Sequence, residues 1–315
     1  LPEGALQLIS GSAGDLFDHL DGRDLIAFTG SANTAATIRS HPAVTVRAAR
    51  FTAETDSLNA CILGPDADAG SEEFALFTKE VAREMTVKAG QKCTAIRRAL
   101  VPEALVDDVV SALRSRLDRV VVGNPRNESV TMGALAGLHQ RDEVRGAVQQ
   151  LRLAADVVAG DPDAVHPVDA DSERGAFMSP LLLLSTDATR PELHEVEAFG
   201  PVSTLIPYRN AEDAVHLAAL GRGSLVASVV SHEPSFVREV VAGVASEHGR
   251  VLVLDRDDAA ESTGHGTPMP QTVHGGPGRA GGGEELGGLR AVKHFMQRTA
   301  IQGSPAAVDA IINGE

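Results

Sequence analysis

From residue 7 onward, short apolar runs alternate with turns and with amphipathic stretches. The first pass reads "LQLIS" with a turn at Gly11, a helical "DLFDHL", the strand "LIAFTG", the helix "SANTAATIRS" and the strand "VTVRAARF". Apolar run, turn and helix in repetition is the pattern of parallel strands joined by crossover helices, so residues 1–56 are expected to be α/β. A strand at "NACILG" follows, then a helix over "SEEFALFTKEVAREMTVKAG", with Ser71 placed to cap its start and Gly90 just past its end. Phe74, Phe77, Val81 and Met85 recur on one face at helical spacing and are assigned to the core. A second helix starts after Pro102 with Val106, Val109, Val110, Leu113 and Leu117 on its buried side, and "VVVGNP" turns out of it. A helix around "HQRDEVRGAVQQLRLAA", the extended "FMSPLLLL", a helix near "NAEDAVHLAAL" and the strand "SLVASVVS" carry the alternation to about Arg250. Beyond it, "STGHGTPMPQTVHGGPGRAGGGEELGGL" is crowded with Gly and Pro and reads as an irregular loop rather than another layer. No internal repeat interrupts this organisation.

Composition narrows the class. At 315 residues, 43% of them hydrophobic, the chain holds about two cored domains of ordinary globular material. A net charge of -15 gives no basic footprint for phosphate backbones, and one Tyr with no Trp leaves few platforms for stacking bases, which excludes nucleic acid as a partner. No apolar run approaches the ~20 residues that span a bilayer, and "LPEGALQLIS" lacks a basic region before an apolar core, so no membrane contact and a cytoplasmic setting are expected. Two cysteines, Cys61 and Cys93, make no disulfide framework and read as free thiols in a reducing compartment.

Cys93 is the more informative of the two. It follows a helix end and a glycine, in "AGQKCT", rather than sitting inside an apolar strand as Cys61 does. A thiolate there is nucleophilic if a helix N-terminus or a cation such as Lys92, Arg97 or Arg98 lowers its pKa; the plainer reading of any cysteine is a small buried hydrophobe. Glu54 ends a strand, where a carboxylate can hang into a cleft and act on a water, or decorate a solvated turn. "FTGSANTA" puts Gly30 and Ser31 between a strand and a helix, a junction suited to an anionic group because free N–H groups and the helix dipole point at it, though such junctions are common. "HEVEAFGPV" holds Glu197 beside the tight turn Phe199-Gly200-Pro201, which would fix a carboxylate or form a surface loop. Gly276, Gly278 and Gly281 match G-x-G-x-x-G, but no strand precedes them and no helix with a distal acidic residue follows, so the dinucleotide fingerprint is rejected. His265, His274 and His294 are irregularly spaced and complete no zinc pattern, so no metal is assigned. "HGGPG" lacks the G-x-S-x-G elbow that a serine hydrolase requires.

Taken in order, "FTGS", strand-end Glu54, "GQKCT" after one long helix and "EAFGP" resemble the aldehyde dehydrogenase superfamily over most of the chain. The finer wording, "AETDSLN", "REMTVKAGQKCTAIRR", "STGHG" and "VHGGPGRAGGGEELGGLRAVKHFMQRTA", is similar to the aldehyde dehydrogenase part of the bifunctional ring-opening enzymes of phenylacetic acid degradation, in which the usual Glu-Leu-Gly-Gly is replaced as it is here by Glu54-Thr55-Asp56-Ser57. The resemblance implies an α/β fold: part of a Rossmann-type NAD(P)-binding domain over 1–56, a catalytic thiol domain over 57–250, and over 251–315 a return to the cofactor domain with a C-terminal oligomerisation segment of a homo-oligomer. It implies Cys93 as the nucleophile, its backbone N–H helping to hold the oxyanion, and Glu54 as the base for the hydrolytic water. Thr29, Gly30 and Ser31 would lie against the cofactor pyrophosphate, and Glu197 with Phe199 at the nicotinamide ribose. A thiohemiacetal, hydride transfer to NADP, with NAD as the alternative acceptor, and a thioester cleaved by water complete the implied mechanism, with a CoA-linked semialdehyde as the aldehyde substrate. The composition selects no such substrate, since a chain this acidic shows no basic CoA-phosphate site.

Family members also carry, ahead of the point matched by Leu1, further strands of the cofactor domain with a lysine for the adenosine ribose and an asparagine of the oxyanion hole. The chain is therefore expected to be the middle of a longer protein, with an apolar strand edge near Leu6 to Ile9. Two other readings stand beside the dehydrogenase. One is a non-catalytic folding or assembly module; the other is a cysteine hydrolase or acyltransferase, which requires a His base close to Cys93 in space.

Overall fold

The first apolar run that becomes a strand is β1 (Leu25–Thr29). The computed structural model describes residues 2–269, 271–272, 274–285 and 288–314. After β1 come α1 (Ala32–Arg39), the one-turn α2 (Pro42–Thr45) and β2 (Arg50–Glu54), which returns parallel to β1 with Leu25 opposite Arg50 and Thr29 opposite Glu54. The "VTVRAARF" strand is therefore shorter than expected. His41 caps the turn through Nδ1 and Pro42 sits at its first position, which draws Val44 and Thr45 into α2 before β2 begins. "DLFDHL" forms only a single 3₁₀ turn over Leu16–His19. The expected strand at "LQLIS" does not form: Leu6, Leu8 and Ile9 are exposed and pair with no strand among the described residues.

The rest of the chain builds one seven-stranded sheet. Its elements are β3 (Ala60–Leu63), α3 (Glu72–Thr86), β4 (Arg98–Pro102), α4 (Val106–Leu117), α5 (Leu138–Leu151), β5 (Ala155–Ala159), β6 (Leu181–Ser185), α6 (Glu192–Glu195), β7 (Val202–Tyr208), α7 (Ala211–Ala219), β8 (Ser224–Val230), α8 (Pro234–Val244) and β9 (His248–Leu254). The strand order is β5-β6-β7-β4-β3-β8-β9, parallel throughout except where β5 pairs antiparallel with β6 at one edge. β9 crosses residue 250, so this sheet runs on to Leu254.

The central strands read as unbroken apolar runs because both faces are covered. One face packs Ile62, Leu100, Ile206 and Val229 against α5, α7 and α8; the other packs Cys61, Leu63, Ala99 and Val101 against α3 and α4. Phe74, Phe77, Val81 and Met85 of α3 fill that second core as the helical spacing predicts, and Ser71 caps the helix by accepting from Phe74 N–H. Val109, Leu113 and Leu117 of α4 join them.

The Gly/Pro-rich tail carries a two-residue ladder, β10 (His274–Gly275) against β11 (Glu284–Glu285), followed by α9 (Gly288–Phe295) and α10 (Pro305–Asn313). Its glycines pack at backbone distance. A Cβ on Gly281 or Gly283 would lie 2.4 Å from the Ala53 carbonyl oxygen, and one on Gly276 would lie 2.3 Å from that of Ser224. The G-x-G-x-x-G match thus belongs to backbone-to-backbone docking against β2 and β8.

Candidate active site

Cys93 lies between a 3₁₀ turn (Val87–Gly90), which follows α3, and β4. Three consecutive residues there turn left-handed: Lys88 at φ 54°, Ala89 at φ 51° and Gly90 at φ 68°. A left-handed non-glycine residue is strained, and two in succession persist only where the surroundings over-determine them. The surroundings here are Arg97. Its buried guanidinium donates to the carbonyls of Gly90 (2.8 Å), Gly200 (2.7 Å) and Lys92 (3.3 Å), tying the thiol turn to the "FGP" turn. A Cβ on Gly90 would sit 2.1 Å from the Gly200 oxygen. Gly90→Ala is therefore expected to lower stability by about 2–5 kcal/mol, since it adds a backbone clash to a disfavoured φ; an unchanged thermal midpoint would contradict this geometry.

The other side of the thiol turn is held by a residue the sequence reading passed over. Asn59 is completely buried, and its amide donates to the carbonyls of Cys93 (2.8 Å) and Ala95 (3.0 Å). Its oxygen accepts from Ser57 Oγ (2.6 Å) and from Val226 N–H (3.1 Å). Such a fully satisfied buried amide fixes the half-buried Cys93 against β3 and β8. Of the cations expected around the thiol, Lys92 is held by both oxygens of the buried Glu84 at 2.7 Å. Arg98 is buried and donates to the carbonyls of Leu58, Leu217 and Ala218.

Glu54 closes β2 with 8% of its surface exposed. Its backbone is clamped from both sides. Gly30 N–H donates to the Glu54 carbonyl at 3.1 Å, Gly283 N–H to Ala53 at 3.1 Å, and Thr55 N–H to Ala280 at 3.0 Å. The residues after Glu54 each reach a different part of the site: Asp56 accepts from Ala32 N–H at the start of α1 (3.1 Å), and Ser57 N–H donates to Glu197 Oε2 (3.1 Å).

The structure brings Glu54 and Cys93 together and adds His274. A Glu54 carboxylate oxygen, Cys93 Sγ and an imidazole nitrogen of His274 all lie within 4.8 Å of one another. His274 Nε2 stands 3.6 Å from Glu54 Oε2. His265, near it in sequence, is elsewhere: it is buried in the core, where Nδ1 meets Ser228 Oγ at 2.6 Å and desolvation pushes its pKa down to about 3.

Thr29, Gly30 and Ser31 form the β1–α1 junction. Ser31 caps α1 by accepting from Thr34 N–H at 3.2 Å, and all three residues are exposed. A cleft of 590 Å³ opens beside them, lined among others by Asn33 of α1, Gln91 of the thiol turn, Glu197 and Phe199. Phe199 lies under the Arg97 guanidinium, 5.3 Å from its ring centre. Glu197 Oε1 is 3.8 Å from Arg97 Nε, yet desolvation dominates and pushes its carboxyl up to about 7, with Arg97 pulling the other way. The Glu197 carboxyl at the rim of this cleft suits the ribose hydroxyls of a dinucleotide, while the nearby start of α1 is already capped, with Ser31 and Asp56 accepting from Thr34 and Ala32 N–H. No helix of the described residues is long and apolar enough to cross a membrane.

With this geometry in view, the family is settled by comparison. The description "Aldehyde dehydrogenase family" matches residues 1–301, and the chain belongs to that family. It is 48% identical over 279 residues to a 3,4-dehydroadipyl-CoA semialdehyde dehydrogenase of Aromatoleum evansii, covering 88% of this chain and 54% of that protein. It is 50% identical over 182 residues to Protein MaoC of Klebsiella aerogenes, covering 57% of this chain and 52% of that protein. The chain thus spans about half the length of the curated relatives it matches. A betaine aldehyde dehydrogenase of Staphylococcus aureus, solved with NAD+, shares the fold at a TM-score of 0.75 and 24% identity, over 88% of this chain and 52% of its own. An aldehyde dehydrogenase of Pseudomonas syringae, solved with NAD+ and octanal, superposes at a TM-score of 0.70 with 25% identity, over 88% and 52%. The expected α/β, aldehyde dehydrogenase-like fold is the one observed.

Proposed function

We propose that the protein oxidises an aldehyde to a carboxylic acid with NADP, or NAD, as hydride acceptor, through a thioester on Cys93. The substrate we infer is a CoA-linked semialdehyde of aromatic degradation, a reading supported by the relative from Aromatoleum evansii. The observation that carries the chemistry is the convergence within 4.8 Å of Cys93 Sγ, on the turn ahead of β4, and the Glu54 carboxylate at the end of β2, with Gln91 and Glu197 lining a nearby cleft. In this reading the Cys93 thiolate adds to the aldehyde carbonyl, and the Cys93 N–H donates to the oxyanion formed. Thr29, Gly30, Ser31, Glu197 and Phe199 would hold a nicotinamide cofactor, which would supply the hydride acceptor for the step that leaves Cys93 acylated. Glu54 then takes a proton from water, the oxygen attacks the thioester carbon, and the C–S bond breaks to release the carboxylate and return the thiol. The division into a cofactor part, a thiol domain and a C-terminal segment belongs to the same proposal, as does a homo-oligomer, in which the exposed Ile301, Ile311 and Ile312 would find cover.

The proximity of His274 to Cys93 favours a second reading, a cysteine hydrolase, and cofactor dependence separates the two. Incubating the purified protein with an aldehyde and NADP should yield NADPH and acid in equal amounts. Acid or alcohol released from an ester at the same rate with or without cofactor, and no NADPH from any aldehyde, would favour the hydrolase. Absence of both activities together with absence of NADP binding would leave the non-catalytic module.

Glu197 gives the proposal a pH signature. With its carboxyl up to about 7, the native chain keeps a proton that the unfolded chain has already released above the ordinary glutamate value, so this group destabilises the fold increasingly as pH rises through about 7. Ribose hydroxyls donate to the ionised form, so cofactor binding has the opposite trend: the dissociation constant should fall as pH rises through about 7 and then level off. Titrating NADP by fluorescence across that range should show the trend in the native protein and a flat profile in Glu197→Gln. An identical pH dependence in both would remove Glu197 from the cofactor site.

A further inference from the structure

The geometry points to an inhibitory transition-metal site made of Cys93, Glu54 and His274, selective for Zn2+ and its spectroscopic substitute Co2+. A thiolate, an imidazole and a carboxylate are the three donor types from which tetrahedral zinc sites are assembled, and one sulfur among them selects against Mg2+ and Ca2+. Ligand bonds of about 2.0–2.3 Å put neighbouring donors of a tetrahedral ion about 3.5 Å apart. His274 Nε2 and Glu54 Oε2 already stand at 3.6 Å, and the sulfur lies within 4.8 Å of both. About an ångström of side-chain movement at Cys93 therefore completes a three-ligand set with a fourth position for water.

The backbone under each donor is fixed independently of a metal. Asn59 holds the Cys93 carbonyl, and the Gly30, Thr55 and Gly283 amides clamp the chain on either side of Glu54. His274 is held by the β10–β11 ladder, whose Gly275 carbonyl lies so close to Gly249 that a Cβ there would be 1.6 Å from the oxygen. Convergent donors on such supports bind an ion with little ordering penalty. The other mixed cluster among the described residues, His232 with Asp255 and Asp257, is more open and lacks sulfur.

On binding, the Cys93 thiol releases its proton to solvent and the sulfur lone pair goes to the metal. That this blocks aldehyde oxidation rests on the role proposed above for Cys93; metal binding itself does not, and the experiment reads the two separately. Reduced, chelator-treated protein is titrated with Co2+. The expected spectrum has a thiolate-to-cobalt charge-transfer band in the near ultraviolet and visible bands of four-coordinate intensity, saturating at one ion per chain. Cys93→Ala should lose the charge-transfer band. His274→Phe should weaken binding at least about tenfold, since altering partners outside the ligand set alone costs ~10–100-fold. Zn2+ should displace Co2+, protect Cys93 from alkylation and be removed by chelator. No charge-transfer band in the native protein would overturn the site. So would unchanged affinity in both His274→Phe and Glu54→Gln, which would reduce it to a metal on a single sulfur. Intact binding with uninhibited oxidation would overturn the inhibitory role of the site and remove Cys93 as the nucleophile. Intact binding in a protein that oxidises no aldehyde even without metal would leave the site standing and place the failure on the dehydrogenase reading.

Discussion

Cys93→Ala is expected to abolish aldehyde oxidation, by roughly 10⁴–10⁶-fold in kcat, the range seen when a covalent nucleophile is removed from a set of groups that act as a unit. Cys61→Ala is expected to leave turnover within a few-fold. The contrast follows from where the two thiols sit. Cys61 is completely buried on β3, opposite Ala99 of β4 and Ser228 of β8, and burial raises its pKa well above that of an ordinary thiol, so it is neither ionised nor accessible. Losing its sulfur removes a little core volume and about 1 kcal/mol of stability. Cys93 is half-buried beside Glu54, on a turn anchored through its carbonyl, which accepts from Asn59. Alanine there keeps the Asn59 hydrogen bond and should fold, so a circular dichroism spectrum and melting curve like those of the native protein should accompany the loss. An equal loss from both substitutions would mean that folding rather than chemistry was being measured, and loss from Cys61→Ala alone would overturn the assignment.

The parts legible in the sequence were those written in local periodicity. The 3.6-residue spacing of Phe74, Phe77, Val81 and Met85, with Ser71 ahead of them, was enough to place α3, because cap and core face are set within one element. The end of that element was less legible. Left-handed Lys88 and Ala89 are dictated by Arg97 and the Gly200 carbonyl, which no local pattern encodes. "LQLIS" carries the alternation of a strand but meets no partner strand among the described residues, and a strand needs one to satisfy its backbone. The glycine-rich tail was read as irregular, and most of it is; what its composition could not reveal is the surface it packs on, the carbonyls of Ala53 and Ser224.

The same distinction runs through the site. Glu54 and Cys93 drew attention by position, one at a strand end and one after a glycine. Asn59 looked like strand edging in "SLNACILG" and His274 like one of three stray histidines. Both are identified only by long-range contacts: Asn59 through β8 and the thiol turn, His274 through a ladder that returns it to the end of β2. A signal was available for Asn59, since an amide inside an otherwise apolar run must find partners for its donors and acceptor.

Glu54→Gln is expected to separate the two halves of the reaction. Glutamine keeps the size of the side chain and a carbonyl oxygen but cannot take a proton, and the backbone clamp around residue 54 uses only main-chain atoms of Ala53, Glu54 and Thr55, so the fold should be unaffected. Acylation of Cys93 needs no proton transfer to this residue if the thiol reaches its thiolate form through solvent, whereas attack by water on the thioester does. Removing a general base lowers the step it serves by ~10²–10⁴-fold. Rapid mixing of the variant with aldehyde and NADP should therefore give a burst of one NADPH per active site, followed by steady turnover reduced by that factor. The trapped species should add the acyl group to the mass of the chain, and hydroxylamine, a better nucleophile than water, should restore part of the turnover. Unchanged steady turnover would remove Glu54 from the mechanism. Loss of the burst along with turnover would move its role forward to the thiol, where the contact with His274 at 3.6 Å places a second group able to relay the proton.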